Sequence, residues 1–245
     1  MIKDYSLYNK PLRVLPVSKL LITTINAHSY NLALKDVLFR KALMESDILI
    51  PDGISVVWAA KWLKGKKLQK IAGADLFFYE MERLNACSGS CFFLGSSETT
   101  LNKILERSTK EYPNVKVHTY SPPYKQEFTD VENKKMITVV NSIKPDVLFI
   151  GMTAPKQEKW AYQHFNQLHV CHVCCIGAVF DFYAGTVNRA PRWLIKIGLE
   201  WFYRLVKEPK RMWRRYLMGN TKFIVYIVRE KIRLLKDCFD HIISN

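Results

Sequence analysis

Short apolar runs alternate with longer amphipathic stretches between about residue 15 and residue 180 of this chain. The short runs have the composition of buried strands and cover Val17–Ile25, Ile48–Ile50, Cys91–Leu94, Val115–Thr119, Val147–Ile150 and Val173–Ile176. The longer stretches have apolar residues at helical spacing and cover Ser29–Glu45, Ser55–Leu63, Ala74–Asn85, Glu98–Tyr112, Asp130–Ile143 and Lys156–Leu168. Strands that alternate with helices are typical of βαβ units. The pattern therefore predicts an α/β fold, with a Rossmann-like, mostly parallel sheet flanked by helices.

The last quarter of the chain has a different pattern, because turn-forming residues become rare after residue 190. Aromatic and basic residues recur there at helical spacing, and we expect helices over Pro191–Lys207, Lys210–Met218 and Thr221–Phe239. The predicted organisation is an α/β domain over residues 1–189 and a basic helical appendage over residues 190–245. No run of 18 or more apolar residues occurs, so the sequence predicts no conventional transmembrane helix.

The charge of the chain is strongly positive, because 37 Lys and Arg stand against 22 Asp and Glu, which gives a formal net charge of +15. The predicted appendage alone holds 13 Lys and Arg against 5 Asp and Glu. Such an excess predicts an anionic partner, whether nucleic acid, acidic lipid or a phosphorylated substrate. The six cysteines are too few for a disulfide scaffold, and residues 1–20 lack an apolar signal region, so we expect a reduced, cytoplasmic protein.

Polar residues and glycines collect just beyond several of the predicted strands. Open parallel sheets bind their ligands beyond the carboxyl ends of the strands, where such residues meet at one edge. The candidates placed in this way are Thr24, Asn26, Asp52, Gly95, Gln157 and Asp181. We expect them to lie along the same edge of the sheet.

Asp52 is the sharpest of these candidates, because it lies between Pro51 and Gly53 on a tight loop after a buried strand. Its carboxylate has the chemistry of a general base that removes a proton from a sugar hydroxyl. The same spacing also fits an N-cap for the helix that follows, and spacing alone favours the cap. Gly95-Ser96-Ser97 offers a similar choice between a phosphate cradle and a plain turn with a helix cap, and the absence of a Walker or GxGxxG pattern favours the turn.

The run Cys171-His172-Val173-Cys174-Cys175 contains a pair of cysteines at the spacing of zinc ligands. A zinc site needs a second pair, and none follows in the sequence. The run also overlaps a predicted buried strand, whose successive residues point to opposite faces. Small buried cysteines are therefore the better interpretation.

The segment Gly198–Tyr216 combines aromatic residues with closely spaced basic residues. Arg211 and Arg214 lie three residues apart, as do Arg204 and Lys207, so each pair can share one helix face. Arginine is well suited to bidentate contact with phosphate. A solvated basic face with its aromatic side chains packed on the core is an equally good interpretation of the composition.

Several short strings follow one another from about residue 20 to residue 230: Thr24-Ile25-Asn26, Pro51-Asp52-Gly53-Ile54-Ser55, Ile71-Ala72-Gly73-Ala74-Asp75, Phe93-Leu94-Gly95, Ala154-Pro155-Lys156-Gln157-Glu158, Phe180-Asp181-Phe182-Tyr183-Ala184-Gly185, Arg189-Ala190-Pro191, Glu200-Trp201-Phe202-Tyr203-Arg204, Glu208-Pro209-Lys210-Arg211 and Arg214-Arg215-Tyr216. Together and in this order they resemble the WecG/TagA/CpsF family of glycosyltransferases, which act in bacterial surface-polysaccharide synthesis. The chain departs from the family pattern at Thr153, where many members have glycine, and at Lys70, where many have arginine.

The resemblance implies an inverting, metal-independent sugar transferase. Such an enzyme moves a hexose or an N-acetylhexosamine, with N-acetylmannosamine favoured, from a UDP-sugar to an undecaprenyl-diphosphate-linked sugar. The resemblance makes Asp52 the base and implies that the substrates are bound by Thr24, Asn26, Lys70, Gly95, Tyr124, Gln157, Asp181, Arg204, Arg211 and Arg214. It also implies that the appendage closes over the pocket and contacts the membrane.

The expected partners are the UDP-sugar donor, the polyprenyl-diphosphate-linked glycan acceptor and the anionic surface of the inner membrane. We expect a peripheral protein on the cytoplasmic face of that membrane, with no metal, no cofactor and no bound nucleic acid, and the sequence is compatible with a homo-oligomer. The alternative is a basic α/β module that binds nucleic acid through its Arg-rich and aromatic tail. The sequence contains no helix-turn-helix, RNP or zinc-binding pattern in support of that alternative.

Overall fold

The computed structural model describes residues 2–243, which contain a six-stranded sheet with helices packed on it. The strands are β1 Leu20–Ile25, β2 Ile48–Pro51, β3 Ser90–Gly95, β4 Lys116–Tyr120, β5 Val147–Gly151 and β6 His172–Cys175. Their order across the sheet is β2-β1-β6-β5-β3-β4, and every neighbouring pair is parallel. The predicted strands and the α/β fold are thus confirmed.

Both faces of the sheet are buried, which explains why its strands appear in the sequence as continuous apolar runs. Successive residues of a strand point to opposite faces. Phe149 and Cys174 belong to the core on one face, whereas Leu148, Val173 and Cys175 belong to the core on the other. Side chains from the surrounding helices complete both cores.

The cysteine-rich run lies in and beside β6, and its cysteines are packing residues there. Cys174 and Cys175 are fully buried, as predicted. His172 uses both ring nitrogens within the fold, because Nδ1 lies 2.8 Å from Glu80 Oε1 and Nε2 lies 3.0 Å from the Pro16 carbonyl oxygen. Within residues 2–243, no group of three or more His, Cys, Asp and Glu side chains is arranged to hold a metal ion.

The helices of the α/β part are α1 Ala27–Ala33, α2 Val37–Met44, α3 Ile54–Lys64, α4 Gly73–Cys87, α5 Glu98–Glu111, α6 Asp130–Ile143, α7 Lys156–His164 and α8 Val179–Tyr183. The single helix predicted over Ser29–Glu45 is wrong, because the chain breaks between α1 and α2. Asp36 has extended backbone angles there, and its carboxylate accepts a 2.9 Å hydrogen bond from the Phe39 backbone N–H, so that it caps α2.

The appendage contains α9 Arg192–Lys196, α10 Glu200–Lys207, α11 Pro209–Trp213, a π-helical turn over Arg214–Met218 and α12 Gly219–Ile243. The single helix predicted over Pro191–Lys207 is wrong, because Gly198 adopts a left-handed φ of 80° and separates α9 from α10. The break predicted at Gly219 is also wrong. Its φ of −67° and ψ of −47° are helical, so the chain winds continuously from α11 through the π turn into α12.

The long helix α12 packs against the α/β part, chiefly against α1. Asn31 Nδ2 donates a 2.7 Å hydrogen bond to the Gly219 carbonyl, and the ring of Phe223 meets that of Tyr30 edge to face at 5.2 Å. Phe223 is buried in the same core cluster as Tyr30. The appendage is therefore held by a packed core, while the predicted domain boundary after residue 189 stays a prediction. None of the helices within the described residues is long and apolar enough to cross a membrane.

The sheet has a crevice between the carboxyl ends of β3 and β5, because the connections that follow these neighbouring strands run in opposite directions. Ligands bind at such switch points in open α/β sheets. Gly95 and Gly151 are register partners at this place. Gly95 has a φ of 116°, and a Cβ on it would come within 2.6 Å of the Gly151 carbonyl oxygen, so only glycine fits.

Candidate active site

A cavity of about 2190 Å³ lies beyond the carboxyl ends of the strands and extends to α10 and α11. Pockets for single small ligands are typically about 300–1,000 Å³, so this one has room for two substrates at once. The sequence-predicted candidates that line it are Thr24, Asn26, Asp52, Lys70, Gly95, Tyr124, Gln157, Asp181, Arg204 and Arg211. Arg214 does not line it.

The carboxylate of Asp52 stands in this cavity without a hydrogen-bond partner among the described residues. Its backbone N–H donates to the Ile25 carbonyl at 2.9 Å, which fixes the loop after β2 to the end of β1. Gly53 is the N-cap of α3, and no side chain caps that helix end, so the capping interpretation of Asp52 is wrong. Burial raises the pKa of Asp52 to about 6.

The charges around Asp52 come from both parts of the chain. Glu200, in α10, adds to the rise of the Asp52 pKa, whereas Lys70 and Arg215 oppose it. Glu200 is itself held between two cations, with its carboxylate 3.6 Å from Lys70 Nζ and 3.4 Å from Arg189 Nε. A carboxylic acid with a pKa near 6 is ionised at neutral pH and is a stronger base than an ordinary aspartate.

Three arginines of the appendage lie close together at the cavity wall. The pKa of Arg215 is lowered by burial, and the positive charges of Arg204 and Arg211 lower it further. Arg204 is 9% exposed and Arg215 is half-buried, and the Nε atoms of both are buried without a hydrogen-bond partner. Buried donors that lack partners are costly, and like charges repel, so this cluster is built to receive an anion.

Asp181 faces the same arginine cluster from the start of α8. Burial raises its pKa, and the nearby charges of Arg211 and Arg204 counter that rise. The Arg204 guanidinium also lies over the ring of Phe182, 5.3 Å from its centroid. These contacts hold Arg204, in α10, against α8.

The arginine pair predicted from helical spacing was Arg211 with Arg214, whereas the structure brings Arg215 to the cavity with Arg211. Arg214 is exposed, and its guanidinium lies over the ring of Trp213 at 5.3 Å. Residues three and four positions apart both share a helix face, so the spacing from Arg211 alone did not distinguish Arg214 from Arg215. Sequence reasoning also missed Glu200, whose only signal was its place in a family string.

Asn26 has a structural role as well as a place in the cavity. It is the N-cap of α1, and its Oδ1 accepts hydrogen bonds from the backbone N–H groups of His28 and Ser29 at 3.0 and 3.1 Å. Its amide Nδ2 keeps its donor capacity for a ligand. Thr24 lies two residues earlier, half-buried at the end of β1.

Gln157 is 4% exposed, and its amide is engaged at both ends. Its Oε1 accepts from the Met152 backbone N–H at 3.2 Å, and its Nε2 donates to Glu158 Oε1 at 2.8 Å. Glu158 is 1% exposed, its Oε2 has no hydrogen-bond partner, and burial raises its pKa to about 7. Gln157 therefore braces the loop after β5 as well as lining the cavity.

The remaining candidates lie at the far side of the cavity. Ser97 caps α5, because its Oγ accepts a 3.2 Å hydrogen bond from the Thr100 N–H, so the turn-and-cap interpretation of Gly95-Ser96-Ser97 is confirmed. Tyr124 is fully exposed in the loop after β4. It is available to stack on a flat ligand at the cavity mouth.

The site thus combines a carboxylate that accepts no hydrogen bond from the described residues with an arginine cluster, in which Arg204 and Arg215 have unpartnered Nε atoms and Arg211 is paired with Glu208 at 2.7 Å. The Asp52 carboxylate can accept a proton, and the arginine cluster can stabilise a phosphate-bearing leaving group. Group transfer from a phosphorylated donor requires both. The fold and the site define a transferase.

A family model described as glycosyl transferase WecG/TagA/CpsF family matches residues 12–237. The chain therefore belongs to the WecG/TagA/CpsF family and is a glycosyltransferase, as the sequence strings predict. The nucleic-acid-binding alternative is not favoured by these comparisons.

Two of the similar curated proteins carry the name N-acetylglucosaminyldiphosphoundecaprenol N-acetyl-beta-D-mannosaminyltransferase. That of Bacillus subtilis (strain 168) is 31% identical over 210 residues, which are 86% of this chain and 79% of the relative. That of Staphylococcus aureus (strain MW2) is 26% identical over 219 residues, which are 89% of this chain and 84% of the relative. The similarity thus extends through the α/β part into the appendage.

Proposed function

We propose that this glycosyltransferase moves an N-acetylmannosamine-type sugar from a UDP-sugar to a glycan carried on undecaprenyl diphosphate. The names of the relatives support the sugar and the acceptor, since they specify an N-acetylmannosaminyl group and N-acetylglucosaminyl-diphosphoundecaprenol. The volume of the cavity supports a two-substrate reaction. The observation that carries the proposal is the Asp52 carboxylate, which accepts no hydrogen bond from the described residues, in the same cavity as Arg204, Arg211 and Arg215.

The reaction is a single displacement at the anomeric carbon. A hydroxyl oxygen of the acceptor sugar attacks that carbon, and its proton passes to the Asp52 carboxylate. The bond from the anomeric carbon to the diphosphate oxygen breaks, and UDP leaves with the electron pair. One displacement inverts the configuration, so an α-linked donor yields the β product that the names of the relatives specify.

The leaving diphosphate gains negative charge in this step, and the arginine cluster stabilises it. Arg204 and Arg215 each hold an unpartnered Nε–H, and Arg211 adds a third positive charge. Preorganised donors of this kind act on the transition state more than on the ground state. The sequence has no Asp-x-Asp motif for a metal-bound diphosphate, so arginines in place of a metal ion suit this chain.

The donor lies with its nucleotide toward Asp181 and Tyr124 and its sugar toward Thr24, Asn26 and Lys70. Tyr124 stacks on the uracil, and Asp181 accepts from its ring N–H. The acceptor enters from the membrane side, where the basic appendage holds the protein to the anionic cytoplasmic face. Each Lys or Arg near such a surface contributes about 1 kcal/mol.

A direct test is transfer by the purified full-length protein, followed by mass spectrometry. UDP-N-acetylmannosamine, UDP-N-acetylglucosamine and UDP-glucose are each offered with an N-acetylglucosaminyl-diphospholipid acceptor. We expect one added N-acetylhexosamine from UDP-N-acetylmannosamine, in the β configuration by NMR and undiminished by EDTA. Transfer that EDTA abolishes and magnesium restores overturns the arginine mechanism, and a product with retained configuration overturns the single displacement.

A further inference from the structure

Helix α3 is apolar on two opposite sides, and only one of them is buried. Val56, Ala59, Ala60 and Leu63 are buried against the core. Trp58 and Trp62 lie one turn apart on the other side, and they are 66% and 50% exposed. Large exposed aromatic residues side by side on a helix mark an interaction surface.

The chain segment that contains these tryptophans carries charge of one sign. Between Asp52 and Asp75 the sequence holds five lysines and no acidic residue. Lys61 is in α3, Lys66 and Lys67 come just after the Gly65 cap of that helix, and all three lysines are exposed. We call the exposed side of α3, with Trp58, Trp62 and these three lysines, the Trp–Lys face.

The Trp–Lys face borders an exposed apolar side of the appendage helix α12. Lys231 Nζ donates a 3.1 Å hydrogen bond to the Trp62 carbonyl, which brings the end of α3 against α12. Around Lys231, one face of α12 carries exposed aliphatic side chains at helical spacing, namely Ile224, Val228, Ile232 and Leu235. The two exposed apolar surfaces therefore adjoin.

The other end of α3 meets the start of the appendage. A Cβ on Gly198 would lie 3.2 Å from Ile54 Cγ2, so the α9–α10 connection packs on the first turn of α3. Beside this contact, Ile197 is 60% exposed and Trp193 is 63% exposed. The apolar surface thus continues from α9 along α3 to α12.

We propose that the Trp–Lys face binds the surface of an anionic lipid bilayer, so that the α/β part itself is a membrane contact in addition to the appendage. The inference deepens the proposed function and rests on its lipid-linked acceptor. Trp rings favour the headgroup level of a bilayer, and lysines beside them meet the negative charge of acidic lipids.

A second copy of this chain is a poorer match to the same face. A two-fold dimer through it would bring Lys61, Lys66 and Lys67 of one chain toward their counterparts, and like charges across an interface are costly. The buried centres of protein interfaces are also depleted in lysine. The combination of tryptophan and lysine without acid therefore selects a lipid surface.

This contact ties the membrane to the reacting groups. α3 starts two residues after Asp52, and at about 1.5 Å per residue Trp62 lies about 12 Å along the helix from Ile54. A bilayer held at the Trp–Lys face keeps the cavity edge within reach of a sugar diphosphate that projects from the membrane.

The test measures binding of the full-length protein to vesicles of phosphatidylcholine with 30% phosphatidylglycerol by co-sedimentation. One variant carries Trp58→Ser with Trp62→Ser, and a second carries Lys66→Ala with Lys67→Ala. The matched controls are Val131→Ser, which is 78% exposed on α6, and Lys103→Ala with Lys134→Ala, which are exposed on α5 and α6.

We expect each Trp–Lys face variant to lose about tenfold or more of vesicle affinity, whereas the controls bind as the unchanged protein does. Transfer to a water-soluble acceptor stays unchanged in all of them, which shows that the variants are folded. If the tryptophan variant is unstable, the variant with Lys66→Ala and Lys67→Ala still tests the inference.

Equal vesicle binding by variants and controls overturns the inference and leaves the appendage as the membrane contact. A shift from dimer to monomer in sedimentation, with vesicle binding intact, also overturns it and assigns the face to a second copy. Absence of vesicle binding by the unchanged protein overturns it as well, while the transfer assay with a soluble acceptor decides the proposed reaction separately.

Discussion

Glu200, in the appendage helix α10, raises the pKa of Asp52 at the end of β2, so the two parts of the chain share one electrostatic site. The salt bridge of Glu200 with Lys70, at 3.6 Å, reinforces that connection. The appendage thus contributes to the basicity of the group that receives the acceptor proton, beyond contributing arginines for the phosphates.

The pH dependence of transfer tests this relationship. With the pKa of Asp52 raised to about 6, kcat/KM increases as the pH rises through about 6 and then levels off, because the base must be ionised. Glu200→Gln removes a negative charge and lowers the pKa of Asp52, so the midpoint moves to lower pH by about half a pH unit or more. Glu106→Gln, on the exposed surface of α5, is the control. An unmoved midpoint in Glu200→Gln contradicts the coupling.

A second prediction follows from the position of Arg215, which lines the cavity, next to Arg214, which does not. Arg215→Gln removes a buried donor from the anion cluster and lowers kcat by about 10²-fold, which is the usual cost of one lost oxyanion donor. Arg214→Gln is the adjacent control and keeps near-normal turnover, because Arg214 is exposed outside the cavity. Steady-state kinetics with saturating acceptor separates the two. The opposite ranking restores Arg211 with Arg214, the pair predicted from the three-residue spacing.

Gln157 braces the loop after β5, so we expect its loss to affect stability and donor binding together. Gln157→Met leaves the buried Met152 N–H without its acceptor, which costs about 1–3 kcal/mol of unfolding free energy. The KM for the donor rises because the loop shifts. Gln167→Met, at an exposed position, is the control in urea unfolding and in kinetics. An unchanged urea midpoint in Gln157→Met would show that the amide serves the ligand alone.

Glu158 makes stability depend on pH near neutrality. Its pKa in the folded protein is about 7, above the ordinary value of 4.5, so the unfolded state releases this proton at lower pH. The resulting contribution to stability is complete below about pH 4.5 and is lost as the pH rises through about 7. Glu158→Gln keeps the acceptor for Gln157 and removes this loss.

Urea unfolding at pH 5, 6, 7 and 8 measures the effect of Glu158. We expect the decline in unfolding free energy between pH 5 and pH 8 to be smaller in Glu158→Gln than in the unchanged protein. Glu82→Gln, exposed on α4, is the control and keeps the full decline. Parallel curves for the Glu158 variant and the unchanged protein contradict an ionisation in the fold at this residue.

The strands were predictable from the sequence because both faces of the sheet are buried, so each strand is a short apolar run between polar loops. The candidates at one sheet edge followed from the rule for parallel sheets. The helix breaks were not predictable, because the break before α2 depends on an aspartate that leaves the helix to cap the next one. Aspartate is also common on the exposed surface of helices, so the sequence did not mark Asp36 as a cap. Its hydrogen bond from the Phe39 backbone N–H shows that it is one.

The arginine register and the role of Glu200 were beyond sequence reasoning for a different reason. Arg214 and Arg215 follow Arg211 by three and four residues, and both spacings share a helix face, so the spacing could not show that Arg215 rather than Arg214 lines the cavity. The proximity of Glu200 to Asp52 depends on how the appendage packs on the sheet edge. Asn26 was correctly expected beyond β1. Its role as the N-cap of α1 could be recognised only once the structure showed where the backbone N–H groups of that helix lie.

The proposed mechanism depends most on Asp52, and the rate of sugar transfer by Asp52→Asn tests it most directly. Asparagine keeps the size of the side chain but is not a base, so kcat falls by about 10²–10⁴-fold. Because the raised pKa means that the ionised carboxylate destabilises the fold at neutral pH, the same variant has an equal or higher Tm. Asp237→Asn, on the exposed surface of α12, is the control with normal turnover and Tm. Near-normal turnover in folded Asp52→Asn contradicts the assignment of the base.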